Sequence, residues 1–211
     1  MNFLAHLHLA DHCQSHLTGN LLADFVRGDP YRQYSPEVAA GIRLHRFVDG
    51  FIDSQPEVRA WRQTFPPVIR RVSGIALDMI WDHYLARHWT TFHRLPLTAF
   101  VAQARAEIED FAEPVPETYQ QMTTRMWEQA WLLEYRRAES IHHALARMAA
   151  RRPKLHALSE CPPFLTTHYA ALEESFLILY PRLMAASRMY WQENQARLIQ
   201  PDLAEPSKDE E

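Results

Sequence analysis

Ile75-Ala76-Leu77-Asp78-Met79-Ile80-Trp81-Asp82-His83-Tyr84-Leu85 is apolar on nearly every face of a helix. A helix clothed in this way belongs at the centre of a domain, wrapped by other helices. It forms the second half of a longer helix that Pro67 opens, that runs to about Trp89, and that is interrupted or bent near Gly74. Asp78 and Asp82 break the apolar surface one turn apart. Like charges so stacked repel unless a cation lies between them or one is protonated, and the plainer alternative is pairing of each with a buried arginine.

Working outward, Gly19-Asn20-Leu21-Leu22-Ala23-Asp24-Phe25-Val26-Arg27-Gly28 carries a third carboxylate of this kind. In a helix Leu21, Leu22, Phe25 and Val26 form the core stripe, with Asp24 at its edge. Asp24 then needs a partner: Arg27 at the helix end, a histidine, or a metal ion. Ser15 or Thr18 caps this helix, and Gly28 ends it. Residues 2–10 read as a short helix with Phe3, Leu4 and Leu7 inward and His6 near the seam. The alternation in His6-Leu7-His8-Leu9 also allows a strand. Ser35 followed by Pro36 starts a helix that runs to about Ser54. On it Gly41, His45, Asp49 and Asp53 form one line at four-residue spacing, beside the apolar line Ile42, Val48, Phe51 and Ile52. A histidine and carboxylates stacked on one face can converge on a single ion.

The remaining segments are helical too. Pro56–Arg62 makes a shorter helix with its arginines outward, and Pro96 starts one through Phe111. Residues 119–138 form an amphipathic helix whose Met and Trp stripe reads as core. Ser140 caps a helix to Arg151, and Pro181 divides a final pair, 164–180 and 181–198. His142 and His143 point about 100° apart and read as surface or capping residues. No convincing run of alternating β-branched residues occurs. The expectation is an all-α, single compact helical domain over 1–200, with 201–211 as a disordered acidic tail.

Composition narrows the function. The net charge of −4 over 211 residues argues against a general nucleic-acid binder. The tail holds Asp202, Glu205, Asp209, Glu210 and Glu211 against Lys208, so the body is close to neutral. Its positive charge is nearly all arginine, suited to bidentate capture of phosphate or carboxylate. Two cysteines, without metal spacing, fit a reducing cytoplasm. No run approaches the ~20 apolar residues of a membrane span, and no basic stretch marks a signal peptide. Twelve histidines invite a search for metal or acid–base sites.

The ionisable groups on core faces are Asp24, His45, Asp49, Asp78 and Asp82, with His6 possible. Rich in carboxylate and poor in sulfur, the set suits Mg²⁺ or Mn²⁺ better than structural Zn²⁺. With arginines nearby, it points to hydrolysis of a phosphate ester. The Glu-x-x-His pairs of di-iron bundles are not reproduced, since the spacing Glu139 to His142 falls at an expected loop–helix junction.

Met1-Asn2-Phe3-Leu4-Ala5-His6-Leu7-His8-Leu9-Ala10, the Gly19–Gly28 decapeptide, His45-Arg46 to Asp49, Asp78 to His83, and Ala150-Arg151-Arg152-Pro153 together resemble the acyl carrier protein phosphodiesterases of Gram-negative bacteria. The resemblance covers roughly residues 1–190. It implies a helical fold similar to the HD-domain phosphohydrolases, a preference for Mn²⁺, and cleavage of the phosphodiester joining 4′-phosphopantetheine to a serine of acyl carrier protein. The HD pattern places adjacent His and Asp ligands where this chain has Ala23-Asp24, so His45 or His6 must supply the missing imidazole. On this reading Asp24 and Asp78, with His45 and Asp49, hold one or two cations. Asp82 or His83 orients water or protonates the leaving group, and Arg27 or Arg46 grips a non-bridging oxygen.

An acidic carrier protein calls for a basic approach surface. Arg59, Arg62, Arg70 and Arg71 lie on neighbouring helices, and Arg151-Arg152 is a second cluster. Arg70-Arg71 is favoured because it precedes the Asp78 helix, whereas Arg62 alone reads as part of a solvated face. The rival readings are an HD-like phosphohydrolase of a nucleotide or other small phosphodiester, and a non-catalytic protein that binds acyl carrier protein.

Overall fold

The computed structural model describes residues 1–200, and the acidic tail expected over 201–211 lies outside them. Among the described residues there is no strand, which agrees with the all-α expectation. The first helices are α1 (Phe3–Cys13), α2 (Leu17–Leu22), α3 (Pro36–Ser54) and α4 (Pro56–Thr64). A short α5 (Pro67–Arg70) leads into α6 (Ser73–Arg87) and α7 (Trp89–Phe92). The second half holds α8 (Leu97–Glu109), α9 (Glu117–Glu128), α10 (Trp131–Glu134), α11 (Ala138–Arg151), α12 (Cys161–Thr167) and α13 (Tyr169–Ile199).

The innermost helix is α1. Leu4 through Ala10 are all buried, because α2, α3, α6 and α13 pack around it. This settles the first segment as a helix: four neighbours give each of its faces something to pack against, so alternation of histidine and leucine carries no strand signal here. α6 is central as its sequence requires, with Ala76, Leu77 and Met79 to Ala86 buried against α1, α11 and α13. One continuous core runs from Leu4 through Trp81 and Trp89 to Trp191.

Asp82 explains how α1 and α6 stay in register. Its carboxylate, fully buried, accepts hydrogen bonds from the backbone N–H groups of Leu4 (2.8 Å), Ala5 (3.2 Å) and Asn2 (3.3 Å). These are orphan donors at the start of α1, and Asn2 supplies no side-chain cap for them. A carboxylate near a helix N-terminus also meets the positive end of the helix dipole. Asp82 thus serves α1 as a cap reaching over from another helix.

Several boundaries differ from expectation. The segment from Pro67 to Trp89 breaks at Arg71-Val72 rather than at Gly74, which sits inside α6 beneath the guanidinium of Arg62. The helix expected over 119–138 is divided at Gln129-Ala130, where Ala130 takes a left-handed conformation at φ 49°. Alanine is the best helix former, so nothing local announces that turn. Ser140 lies within α11 and hydrogen-bonds Glu134 instead of capping. Pro181 does not end its helix: α13 continues through it for 31 residues. Pro181 and Leu177, four residues earlier, are both exposed, so water can satisfy the carbonyl that loses its N–H partner.

α2 crosses α3 at a pair of glycines. A Cβ on Gly41 would stand 2.8 Å from the His16 carbonyl oxygen and 3.2 Å from the Gly19 Cα. Only hydrogen at both positions lets the two backbones meet, and this approach carries Asn20 next to His45. Gly50, further along α3, has open space around it. Gly41→Ala should therefore lower stability by about 2 kcal/mol through overpacking. Gly50→Ala should raise it by a few tenths to about 1 kcal/mol through helix propensity. Urea unfolding of the two variants measures both effects.

Candidate metal centre

The site is assembled where α1 lies against α3. His45 projects from the Gly41-His45-Asp49 face, and its Nδ1 donates to the Asn20 carbonyl at 2.7 Å. That bond leaves Nε2 as the ring nitrogen turned towards the carboxylates, 3.1 Å from Asp49 Oδ2 and 3.5 Å from Asp24 Oδ1. A backbone carbonyl behind an imidazole is the usual device for orienting a metal-ligating histidine.

His6, from α1, stacks on His45 with ring centroids 3.6 Å apart and planes 12° from parallel. Its Nε2 lies 3.2 Å from Asp49 Oδ1. The ring is buried; among the described residues Nδ1 has no hydrogen-bond partner, and Nε2 has only the nearby Asp49 carboxylate, poorly aligned for a hydrogen bond. Buried polar atoms are normally satisfied, so this orphaned imidazole needs a reason. His6, His45 and Asp49 each offer one ligand atom, all within 4.8 Å of one another. Two imidazoles and a carboxylate, one imidazole lacking any other partner, fit a divalent cation.

The electrostatics agree. Burial, followed by the neighbouring His45, lowers His6 to about 4 against the pull of Asp49, so its ring is neutral near pH 7. Burial also opposes charge on His45, but Asp24 and Asp49 outweigh it and raise that group to about 9. Asp49 is held far below the usual carboxylate range by the two histidines, although burial opposes this. The hydrogen bond from His45 lowers Asp24.

The cluster opens into a cleft of about 360 Å³. Asp24, Asp53, Arg62 and Asp78 share its wall with His45 and Asp49. Asp78 Oδ1 lies 2.9 Å from the α-amino group of Met1, which is also 3.7 Å from Asp49 Oδ1. Burial raises the Asp78 carboxyl against the pull of that amino group.

The sequence-derived candidates therefore separate. His6, His45 and Asp49 meet directly, Asp24 joins them through His45, and Asp78 shares the cleft. Asp82 and His83 do not line it. Asp82 caps α1, and burial raises its carboxyl to about 7 despite its three backbone hydrogen bonds. His83 donates from Nδ1 to the Tyr135 carbonyl at 2.7 Å and accepts at Nε2 from the Tyr169 hydroxyl at 2.6 Å. Both ring nitrogens are thereby committed to packing α6 against its neighbours. Arg46 ties down the loop after Asp24, donating to the carbonyls of Val26 (2.8 Å) and Gly28 (2.9 Å), while Arg27 is exposed. Arg59, Arg70 and Arg71 are exposed and lie outside the cleft lining.

Arg62 is the arginine that does line the cleft. It is half-buried rather than solvated, pairs with Asp53 at 2.5 Å, and lies over Gly74. A glycine one turn before Asp78 gave the only local sign that a long side chain crosses there.

Comparison with known proteins gives the family. The family model described as acyl carrier protein phosphodiesterase matches residues 1–183. An acyl carrier protein phosphodiesterase of Escherichia coli O157:H7 is 47% identical over 190 residues, 89% of this chain and 98% of that protein. One of Salmonella dublin is 48% identical over 186 residues, covering 88% and 96%. One of Pectobacterium atrosepticum is 47% identical over 189 residues, covering 89% and 98%. No solved structure matches the chain. With nearly nine-tenths of its length aligned, and with both of its first two motifs inside the matched region, the chain belongs to the acyl carrier protein phosphodiesterase family.

Proposed function

We propose that this chain is a metal-dependent phosphodiesterase that hydrolyses holo acyl carrier protein to apo acyl carrier protein and 4′-phosphopantetheine. The observation that carries the metal-dependent part is the buried His6 imidazole, stacked on His45 beside Asp49, with its Nδ1 unpartnered among the described residues. The substrate follows from family membership. His6, His45 and Asp49 would hold the cation, with Asp24 and Asp78 at the edge of the same cleft. Mn²⁺ is the favoured ion, since imidazole and carboxylate together suit it better than Mg²⁺. A bound divalent ion supplies Lewis acidity, which favours deprotonation of water and offsets phosphoryl charge.

The protein groups supply the rest. Arg62 is placed to hold a non-bridging phosphoryl oxygen, a role assigned from sequence to Arg27 or Arg46. Asp24, exposed at the cleft edge, is placed to take a proton from the attacking water. Asp78, its carboxyl raised by burial, is placed to return one to the departing serine oxygen. The bond from phosphorus to the water oxygen forms as the bond to the serine oxygen breaks. The water therefore ends as one hydroxyl on the phosphopantetheine phosphate and one proton on serine. Ala23 leaves one place of the HD ligand pair empty of donors, and His6 and His45 take over that function on this reading.

Arg59 on α4, Arg70 at the end of α5 and Arg71 just after it, all exposed, are proposed as the surface that meets the acidic carrier protein. The described helices form one domain on this view. Free, buried Cys13 and Cys161 accord with a cytoplasmic setting. Among the described residues no helix is long and apolar enough to cross a membrane.

Intact-mass measurement of holo acyl carrier protein, incubated with the protein and Mn²⁺, should show loss of the phosphopantetheine mass, and a chelator should prevent it. An unchanged mass with metal present would overturn the substrate assignment. Asp49→Ala should abolish Mn²⁺ binding and turnover together. Arg62→Ala should keep Mn²⁺ binding while lowering kcat/KM by about 10²-fold, as expected for loss of one group that steadies transition-state charge. Metal binding requires neutral His45, which in the metal-free protein holds its proton up to about pH 9. Apparent Mn²⁺ affinity should accordingly rise about tenfold per pH unit from 7 towards 9 in calorimetric titration. The stability that protonated His45 gives the metal-free protein should be full below about pH 6.5 and lost as pH rises through about 9. Thermal melts without metal check that second sign.

A further inference from the structure

A second cavity, also of about 360 Å³, adjoins the metal cleft, and Asn2, Phe3, Met79 and Met148 line both. The two are rooms with a common wall, opening from the same stretch at the start of α1. In size the second falls within the about 300–1,000 Å³ of small-molecule sites. Its apolar surface comes from Phe3 and Trp131, whose rings stack at 6.3 Å, together with Met79 and Met148. Polar groups stand among them. Gln129 accepts from the Trp131 indole N–H at 3.0 Å, Ser140 bonds Glu134, and Asn2 donates to the Tyr135 hydroxyl at 3.2 Å. The left-handed turn at Ala130 is what presents Gln129 and Trp131 to this cavity, where a continuous helix would have carried them on.

We propose that this cavity seats the pantetheine arm of the substrate, an inference that rests on the phosphodiesterase reading above. A phosphodiester held in the metal cleft has two sides. One leads to a folded carrier protein, which needs open surface. The other leads to a slim chain that begins with a gem-dimethyl group, continues through two amides, and ends in a thiol. The adjoining cavity shares Asn2, Phe3, Met79 and Met148 with the cleft, and its lining carries apolar and hydrogen-bonding groups, as the arm does, together with Arg147 and Arg151. Thioethers and aromatic rings take the methyl and methylene groups. Gln129, Ser140 and Asn2 have the donors and acceptors that amides require. The arm would enter past Phe3 and Met79, and the carrier protein would remain on the Asp24 and Arg62 side. Specificity for a pantetheine-bearing diester would then come from this cavity as well as from the carrier protein's surface charge.

Saturation-transfer NMR of the full chain with free pantetheine tests the assignment without requiring turnover. The gem-dimethyl protons should receive saturation from the wild-type protein. The signal should fall at least tenfold in Ala144→Phe, which fills the cavity from α11. Ser140→Phe fills it from the next turn and serves if the first variant does not fold. No transfer to pantetheine in the wild type would overturn the proposal, and so would undiminished transfer in a folded variant. Failure of the phosphodiesterase reading appears separately, as holo carrier protein whose mass the wild-type protein leaves unchanged with Mn²⁺ present.

Discussion

The carboxylate of Asp82 fixes the relation on which the rest of the structure depends. Three backbone N–H groups at the start of α1 have no local partner, and burying them unpaired would cost about 1–3 kcal/mol each. Asp82 satisfies Asn2, Leu4 and Ala5 at once, and α1 can therefore be threaded through the middle of the bundle. With α1 held at that depth, His6 stacks on His45, and Phe3 stands between the two cavities. A residue that the pattern of charges suggested for catalysis thus acts at one remove, by determining where a ligand stands.

The glycine crossing of α2 and α3 does the same for the other half of the site. Gly19 and Gly41 permit a backbone approach that no other residues allow, and the reward is the bond from His45 to the Asn20 carbonyl. That bond selects which imidazole nitrogen meets the carboxylates. The candidate metal centre is therefore specified twice, from α6 through α1 and from α2 through α3. Its acid–base character follows from burial around the histidines and from the carboxylates packed against them.

Much of this was legible in the chain. Pro36 and Ser54 bound α3 as written, and the Gly41, His45, Asp49 line survives as a face because helical periodicity is local. The all-α class was equally plain. The function of Asp82 and His83 was not, since their partners lie 52 to 86 residues away and periodicity records only which face is buried. Arg62 was misjudged for a related reason. On its own helix it looks solvated, and only the arrival of Gly74 from α6 gives it a floor to lie on. Pro181 and Ala130 show propensity failing in both directions, with a helix that continues through proline and another that stops at alanine. Family resemblance located the reacting neighbourhood, while the division of labour within it had to come from distances.

The way the ligands are distributed along the chain also bears on how the protein matures. His6, His45 and Asp49 all emerge from a ribosome early, but α1 has no cap until residue 82 has been made. A nascent chain would carry the donors without the frame that aligns them. The three candidate ligands are brought together only when α6 is present to hold α1 in place, so the site closes late in folding although its residues are made early.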